Sequence, residues 1–160
     1  LQRTQPPRLD DIDRRILDLL HHDAELTNKA LSVRLGIAES TCAYRIRALR
    51  EAGTITGRRL TVDFRHLGRP LQAVIKVRLG AHDERSVREL YDDLTHAPGV
   101  IQAFHVAGED DFHLHVAVAD AEALRDFVLH HVTVHRVVRQ TETQLIFEHR
   151  SGSGPHVAEP

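Results

Sequence analysis

Residues 27 to 55 read TNKALSVRLGIAESTCAYRIRALREAGTI. The pattern is a helix, a tight corner and a longer second helix that stops at a glycine. Leu31 and Leu35 stand four apart and Ile37 follows the corner. Cys42, Ile46 and Leu49 then continue along one side at spacings of four and three, an amphipathic helical period. Gly36 falls where the corner of two crossed helices needs positive φ. Gly53 falls where the second helix needs a left-handed residue after its last turn, and Arg50 in that turn suits the helix dipole. Thr27 is the expected N-cap of the first helix.

With the apolar stripe turned inward, Ser40, Thr41, Tyr44, Arg47 and Ala48 face out. Small hydroxyl residues let a helix approach base edges, and arginine makes paired hydrogen bonds to guanine. The expectation is a helix-turn-helix for double-stranded DNA, with Ser40, Thr41, Tyr44 and Arg47 nearest the bases. Arg45 and Arg50, with Thr27 and Asn28 at a helix N-terminus, are expected to hold phosphates. An ordinary helical hairpin with a solvated face is the competing reading.

Upstream, LQRTQPPR (1–8) has two prolines and no periodicity and reads as a flexible arm whose arginines are candidates to touch DNA. Leu9, Ile12, Ile16 and Leu19 or Leu20 then recur at helical spacing behind Asp10, a plausible N-cap, so a first helix closes a three-helix core. Downstream, ITGRRLTVD has β-branched residues around Gly57 and fits a short hairpin or wing-like strand, with Arg58 and Arg59 as candidates for phosphate. FRHLGRP (64–70) reads as a hinge.

From Leu71 the period changes to two. QAVIKVRL (72–79) alternates as a strand, residues 84–96 form an amphipathic helix stopped by Pro98-Gly99, and VIQAFHVAG and DFHLHVAV are strands flanking Gly108-Glu109-Asp110-Asp111. A helix over about 121–131 and a strand in VVRQTETQLIFEH complete β-α-β-β-α-β, the ferredoxin-like order. The fold class is therefore α+β. The expected organisation is an arm (1–8), a winged-helix-like helix-turn-helix domain (9–54), a hairpin and hinge (55–70), a ferredoxin-like domain (71–149) and a disordered tail (150–160). Helices cover one sheet face, the side of Ile101, Ala103, His105 and Ala107 with Phe112, Leu114, Val116 and Val118. The other side carries Phe104, Val106, His113, His115 and Ala117, too apolar for water, so the domain is expected to form a homodimer through it.

The composition is that of a water-soluble protein with no apolar run near the ~20 residues of a membrane span, and no signal peptide precedes the first charged helix. Residues 1–62 hold 11 Lys/Arg against 8 Asp/Glu, and residues 63–160 hold 10 against 15, which fits two modules with different partners. The single cysteine, Cys42, lies on the apolar stripe and reads as a core residue. A cytoplasmic location follows.

LDDIDRRILDLL, the RIRALREAGTI ending, VDFRHLG, VAGEDDF and RQTETQLIF, in that order and spacing, resemble the Lrp/AsnC (leucine-responsive, feast/famine) family of prokaryotic transcription regulators. The resemblance covers nearly everything from Leu9 to His149. It implies a regulator that binds paired DNA half-sites, dimerises by its sheets, assembles further into octamers, and responds to an amino acid or similar metabolite rather than carrying a cofactor. It places that effector at Ala107, Gly108, Glu109, Asp110 and Asp111, with Thr133, His135 and Arg136 approaching from a neighbouring subunit. By composition alone the same loop reads as a plain acidic turn. The family often has Thr at Ala107, Leu-Pro-Gly-Val at residues 135–138, Ser at Ala38 and Glu at Ala30, so the pocket wall and the recognition-helix cap depart from its pattern.

The sequence has 13 histidines. His113 and His115 share a strand face and invite a metal or a pH response, but with no third ligand at a metal spacing they read as hydrogen-bonded interface residues, and no metal site is assigned. Two alternatives stand beside the regulator: a metabolite- or metal-responsive sensor without DNA binding, and a siroheme-decarboxylase-like enzyme. The second lacks the family's aromatic- and Asn-rich strands, and no catalytic residues are assigned.

Overall fold

The computed structural model describes residues 8–80, 83–150 and 152, which fall into two compact units meeting between Leu60 and Thr61. The arm at 1–7 and nearly all of the tail lie outside the described residues.

The first unit holds α1 (Asp11–His22), α2 (Asn28–Leu35) and α3 (Glu39–Glu51). Asp10 starts α1 through a reciprocal capping box: its carboxylate accepts the Asp13 N–H at 2.9 Å, and the Asp13 carboxylate accepts the Asp10 N–H. Thr27 caps α2 by accepting the Ala30 N–H. Gly36 makes the corner at φ 68°. Gly53, at φ 72°, ends α3 in a Schellman motif, with Gly53 N–H donating to Arg50 O and Thr54 N–H to Leu49 O. Ile16, Leu31, Leu35, Cys42, Ile46 and Leu49 form the buried core, with Leu9, Ile12, Ile37 and Ile55 packed around it. Burial raises the Cys42 thiol pKa, so the cysteine sits in the core as a poor nucleophile.

No hairpin or wing strand forms over residues 55–63 among the described residues. Ile55 closes the helical core, and the remainder is irregular chain with Leu60 exposed. A β-branched run needs a partner strand before it becomes a sheet, and none is supplied among the described residues of this unit. The expected hinge is also ordered. Phe64–Leu67 is a 3-10 turn capped by Asp63 and closed by Gly68, and it belongs to the second unit.

The second unit runs β1 (Leu71–Leu79), α4 (Glu84–His96), β2 (Val100–His105), β3 (Phe112–Val118), α5 (Ala121–Phe127) and β4 (Val138–Leu145). The strands form one antiparallel sheet in the order β2-β3-β1-β4. Ala73, Ile75, Val77 and Leu79 of β1 and Phe112, Leu114, Val116 and Val118 of β3 point to the helix-covered side. Leu90 and Leu94 of α4, Leu124 and Phe127 of α5, and Val132 fill that core.

Two details differ from the strict alternation. A register shift between Val100 and Gln102 puts Val100, not Ile101, opposite Val116 and against the core. After Phe127 the helix widens into a π-helical turn, Val128–Val132, instead of continuing as α-helix to His131.

Candidate DNA-reading face and effector loop

In the first unit Ser40, Thr41, Tyr44 and Arg47 are all exposed along α3, on the side away from Cys42 and Ile46. Tyr44 is 69% exposed, a large aromatic ring held in solvent by a helix whose opposite side is locked in the core. Arg47 and Arg50 are exposed, and neither forms an ion pair among the described residues. Asn28 is exposed at the start of α2, while the Thr27 hydroxyl is engaged in the cap.

Arg45 differs from its neighbours. Its Nη1 donates to Asp10 Oδ2 at 2.7 Å and to Asp13 Oδ1 at 2.9 Å, so it clamps α3 to the first turn of α1. These carboxylates raise the pKa of Arg45, and Asp10 is held below its ordinary value by the Asp13 N–H and then by Arg45. Unlike Arg47 and Arg50, expected beside it at the DNA, Arg45 has its charge already matched from within the unit.

The loop between β2 and β3 is strapped to β1. Val106 N–H donates to Asp111 O, and Asp111 N–H donates to Val77 O, both at 2.9 Å. Asp111 Oδ2 accepts the Leu79 N–H at 2.7 Å. Asp111 is thus a structural strap rather than a free acid. Arg78, between those two β1 residues, reaches Glu109 at 2.8 Å and Asp110 at 3.5 Å, and His113 stands 3.5 Å from Asp110. Glu109 is the main cause of a raised Arg78 pKa. The Arg78 Nε–H is buried without an acceptor among the described residues. Ala107 and Gly108 are exposed, and a Cβ placed on Gly108 would meet nothing within 4 Å. The loop therefore presents an open backbone beside a matched set of opposite charges.

Thr133, His135 and Arg136 lie between the π-helical turn and β4. Within one chain, no hydrogen bond or ion pair among the described residues joins them to residues 107–111. Arg78 is the residue that sequence reading missed. It stands on a strand that also carries Lys76, and its acidic partners lie on the β2–β3 loop.

The sheet face away from the helices is partly closed already. Ala117 is 1% exposed and His115 8%, the latter bonded through Nε2 to Gln72 Oε1 at 2.9 Å and packed near His149. Phe104, at 49%, is the large apolar side chain left on it.

Comparison with known proteins bears on both units. The profile of winged helix-turn-helix DNA-binding domains matches residues 9–56. The profile of the Lrp/AsnC ligand binding domain matches residues 72–154. The chain belongs to the Lrp/AsnC family.

This Lrp/AsnC regulator is 42% identical over 151 residues to the HTH-type transcriptional regulator AldR of Mycobacterium tuberculosis, covering 94% of this chain and 84% of that protein. It is 34% identical over 137 residues to a leucine-responsive regulatory protein of Rhizobium meliloti, covering 86% and 88%. Its structure superposes on the M. tuberculosis AldR crystal structure with a TM-score of 0.80 at 39% identity, over 94% of this chain and all of that one. A Neisseria meningitidis transcriptional regulator solved as an L-Met complex gives a TM-score of 0.84 at 26% identity, covering 92% and 97%. The protein is thus a DNA-binding transcriptional regulator. In this Lrp/AsnC chain the N-cap of α3 is Ala38, which makes no side-chain cap bond.

Proposed function

We propose that this regulator reads paired DNA half-sites as a homo-oligomer and is tuned by an α-amino acid bound at residues 107–111. The observation that carries the DNA reading is α3: its inner side is locked in the core while Ser40, Thr41, Tyr44 and Arg47 stand free on one exposed side. Arg50 and the α2 N-terminus with Asn28 hold phosphates, and Arg45 positions α3 from behind. Two copies joined through the open sheet face, with Phe104 in the seam, present two recognition helices to two half-sites, and dimers assemble further toward octamers.

The effector reading is supported by the pairing of Arg78 with Glu109 and Asp110 beside an open glycine. A zwitterion matches that set: its carboxylate meets Arg78 and backbone N–H groups, and its ammonium meets Glu109. Thr133, His135 and Arg136 of a neighbouring copy close the site. The effector acts by binding one oligomeric arrangement better than another. No described helix is long and apolar enough to cross a membrane, and a cytoplasmic location suits a protein that reads DNA.

The test is a gel shift on the DNA upstream of the protein's own gene, with each amino acid added in turn. Salt-sensitive binding that one amino acid changes supports both halves. Binding unaffected by all of them removes the amino-acid effector. No binding at low salt removes the half-site reading and favours a sensor that has given up DNA.

A further inference from the structure

The helix-covered side of the second unit has an open cleft of about 440 Å³ at the end of β3 opposite the 107–111 loop. The loop leads into Phe112, whereas the cleft begins at Val118, about 20 Å away along a strand rising roughly 3.3 Å per residue. Val118 and Phe127 give the cleft an apolar floor. Arg69, Asp126, His130 and His131 give it a polar wall.

Arg69 is half-buried there and forms no ion pair among the described residues. Its Nη1 has only a long hydrogen bond, 3.4 Å, to Ala117 O. The guanidinium fits because residue 99 is glycine: a Cβ there would lie 2.9 Å from Arg69 Nη1 and 2.9 Å from Ala117 O. A cation is thus seated in a cleft without a carboxylate to match it. The one acid on the wall, Asp126, is already paired with Arg125 at 3.0 Å.

A second observation points to the same place. The helix leaves α-geometry at Val128–Val132, and π-helical turns cluster at functional sites. That turn carries both cleft histidines. His130 Nδ1 is bonded to Asp126 O at 2.9 Å, which directs Nε2 away from the helix, and the His131 ring packs on Phe127.

We propose that this cleft is a second ligand site, for a small organic carboxylate with an apolar body, held by Arg69 and the two histidines. The apolar body covers Val118 and Phe127, and the carboxylate takes the free guanidinium N–H groups. The cleft lies on the helix-covered side of the sheet, opposite the proposed dimer seam. It does not depend on the amino-acid reading of the 107–111 loop.

Calorimetry on the full chain with 4-methylpentanoate and its uncharged isostere 4-methylpentanamide tests this. The carboxylate is expected to bind at least tenfold more tightly than the amide, and Arg69→Gln is expected to remove that preference. Ala119→Phe, built on an exposed residue at the cleft wall, is expected to block binding without touching the core, and serves if Arg69→Gln fails to fold. Backbone amide shifts on titration should centre on residues 123–131. No heat from the carboxylate at millimolar concentration overturns the proposal. So does equal binding of the amide, undiminished binding by either folded variant, or shifts centred on 107–111.

Discussion

Arg45 of α3 and Asp13 of α1 form an ion pair at 2.9 Å, and the same guanidinium nitrogen holds Asp10 at 2.7 Å. Both carboxylates also make the α1 capping box, so the start of one helix and the middle of the recognition helix share one hydrogen-bonded cluster. Asp13 and Arg45 are largely shielded from water, which keeps this pair worth more than a surface bridge. Arg45→Met is expected to lower stability by about 1–3 kcal/mol in urea melts, the cost of leaving charged partners unmatched. DNA affinity should fall with it, but the dependence on salt should keep its slope. Arg50→Ala should instead reduce that slope by about one counterion. An unchanged slope for Arg50→Ala, or a reduced one for Arg45→Met, reverses the two roles.

Acid should unfold the protein in two stages. His115 is pushed below its ordinary 6.5, by burial first and by the nearby His149 second. The unfolded chain therefore takes up that proton before the folded one, and stability falls as pH drops below 6.5. Asp10, held down by the Asp13 N–H and Arg45, works at lower pH, and Asp63, beside Arg65, is held to about 2. For these carboxylates the unfolded chain again protonates first. Their contribution is full above 3.8 and is lost as pH falls through the lower folded values. In melts across pH 3 to 8, His115→Gln should flatten the decline that starts at 6.5 and leave the acid limb in place. A wild-type curve flat between 5 and 7 counts against the buried histidine as its source.

These relationships mark what the sequence could and could not tell. Local rules carried far: Asp10 and Thr27 as caps, Gly36 and Gly53 as turn residues, and the β1 alternation all depend on residues within a turn or two of one another. What failed needed a distant partner. ITGRRLTVD has the composition of a strand, but strand formation depends on a neighbouring strand that these residues do not encode. The bulge that exchanges Val100 for Ile101 is set by pairing with β3. Arg45 read as a phosphate contact with no partner of its own, because its two carboxylates are more than 30 residues away. Arg78 was passed over for the same reason, since its acids arrive only when β3 pairs with β1.

Asp111 should prove to be a structural residue of the effector loop. Its carboxylate takes the Leu79 N–H at 2.7 Å where the register of β1 against β4 shifts. Asp111→Ala leaves that N–H without its acceptor, at a cost of about 1–3 kcal/mol. Glu109→Gln, on an exposed side chain, should leave the melt unchanged. Both variants are expected to weaken amino-acid binding, and only Asp111→Ala should also lower the melting temperature. A stable Asp111→Ala protein with wild-type effector affinity contradicts the strap.

The recognition helix begins with an unfilled position. Ala38 has the extended backbone of an N-cap, φ −66° and ψ 145°, but no side chain to accept a first-turn N–H. Serine fits that backbone, and a cap bond is worth about 0.5–2 kcal/mol. Ala38 is exposed, so the added hydroxyl displaces nothing from the core. Ala38→Ser is therefore expected to raise the stability of the helix-turn-helix unit by roughly 1 kcal/mol. Amide exchange should slow first in residues 39–42, where fraying of α3 begins. If frayed α3 termini limit DNA docking, affinity should rise by the same free energy, about fivefold at most for 1 kcal/mol. Stability gained without any gain in affinity would mean that α3 is already formed when it meets DNA, and that the missing cap costs the fold alone.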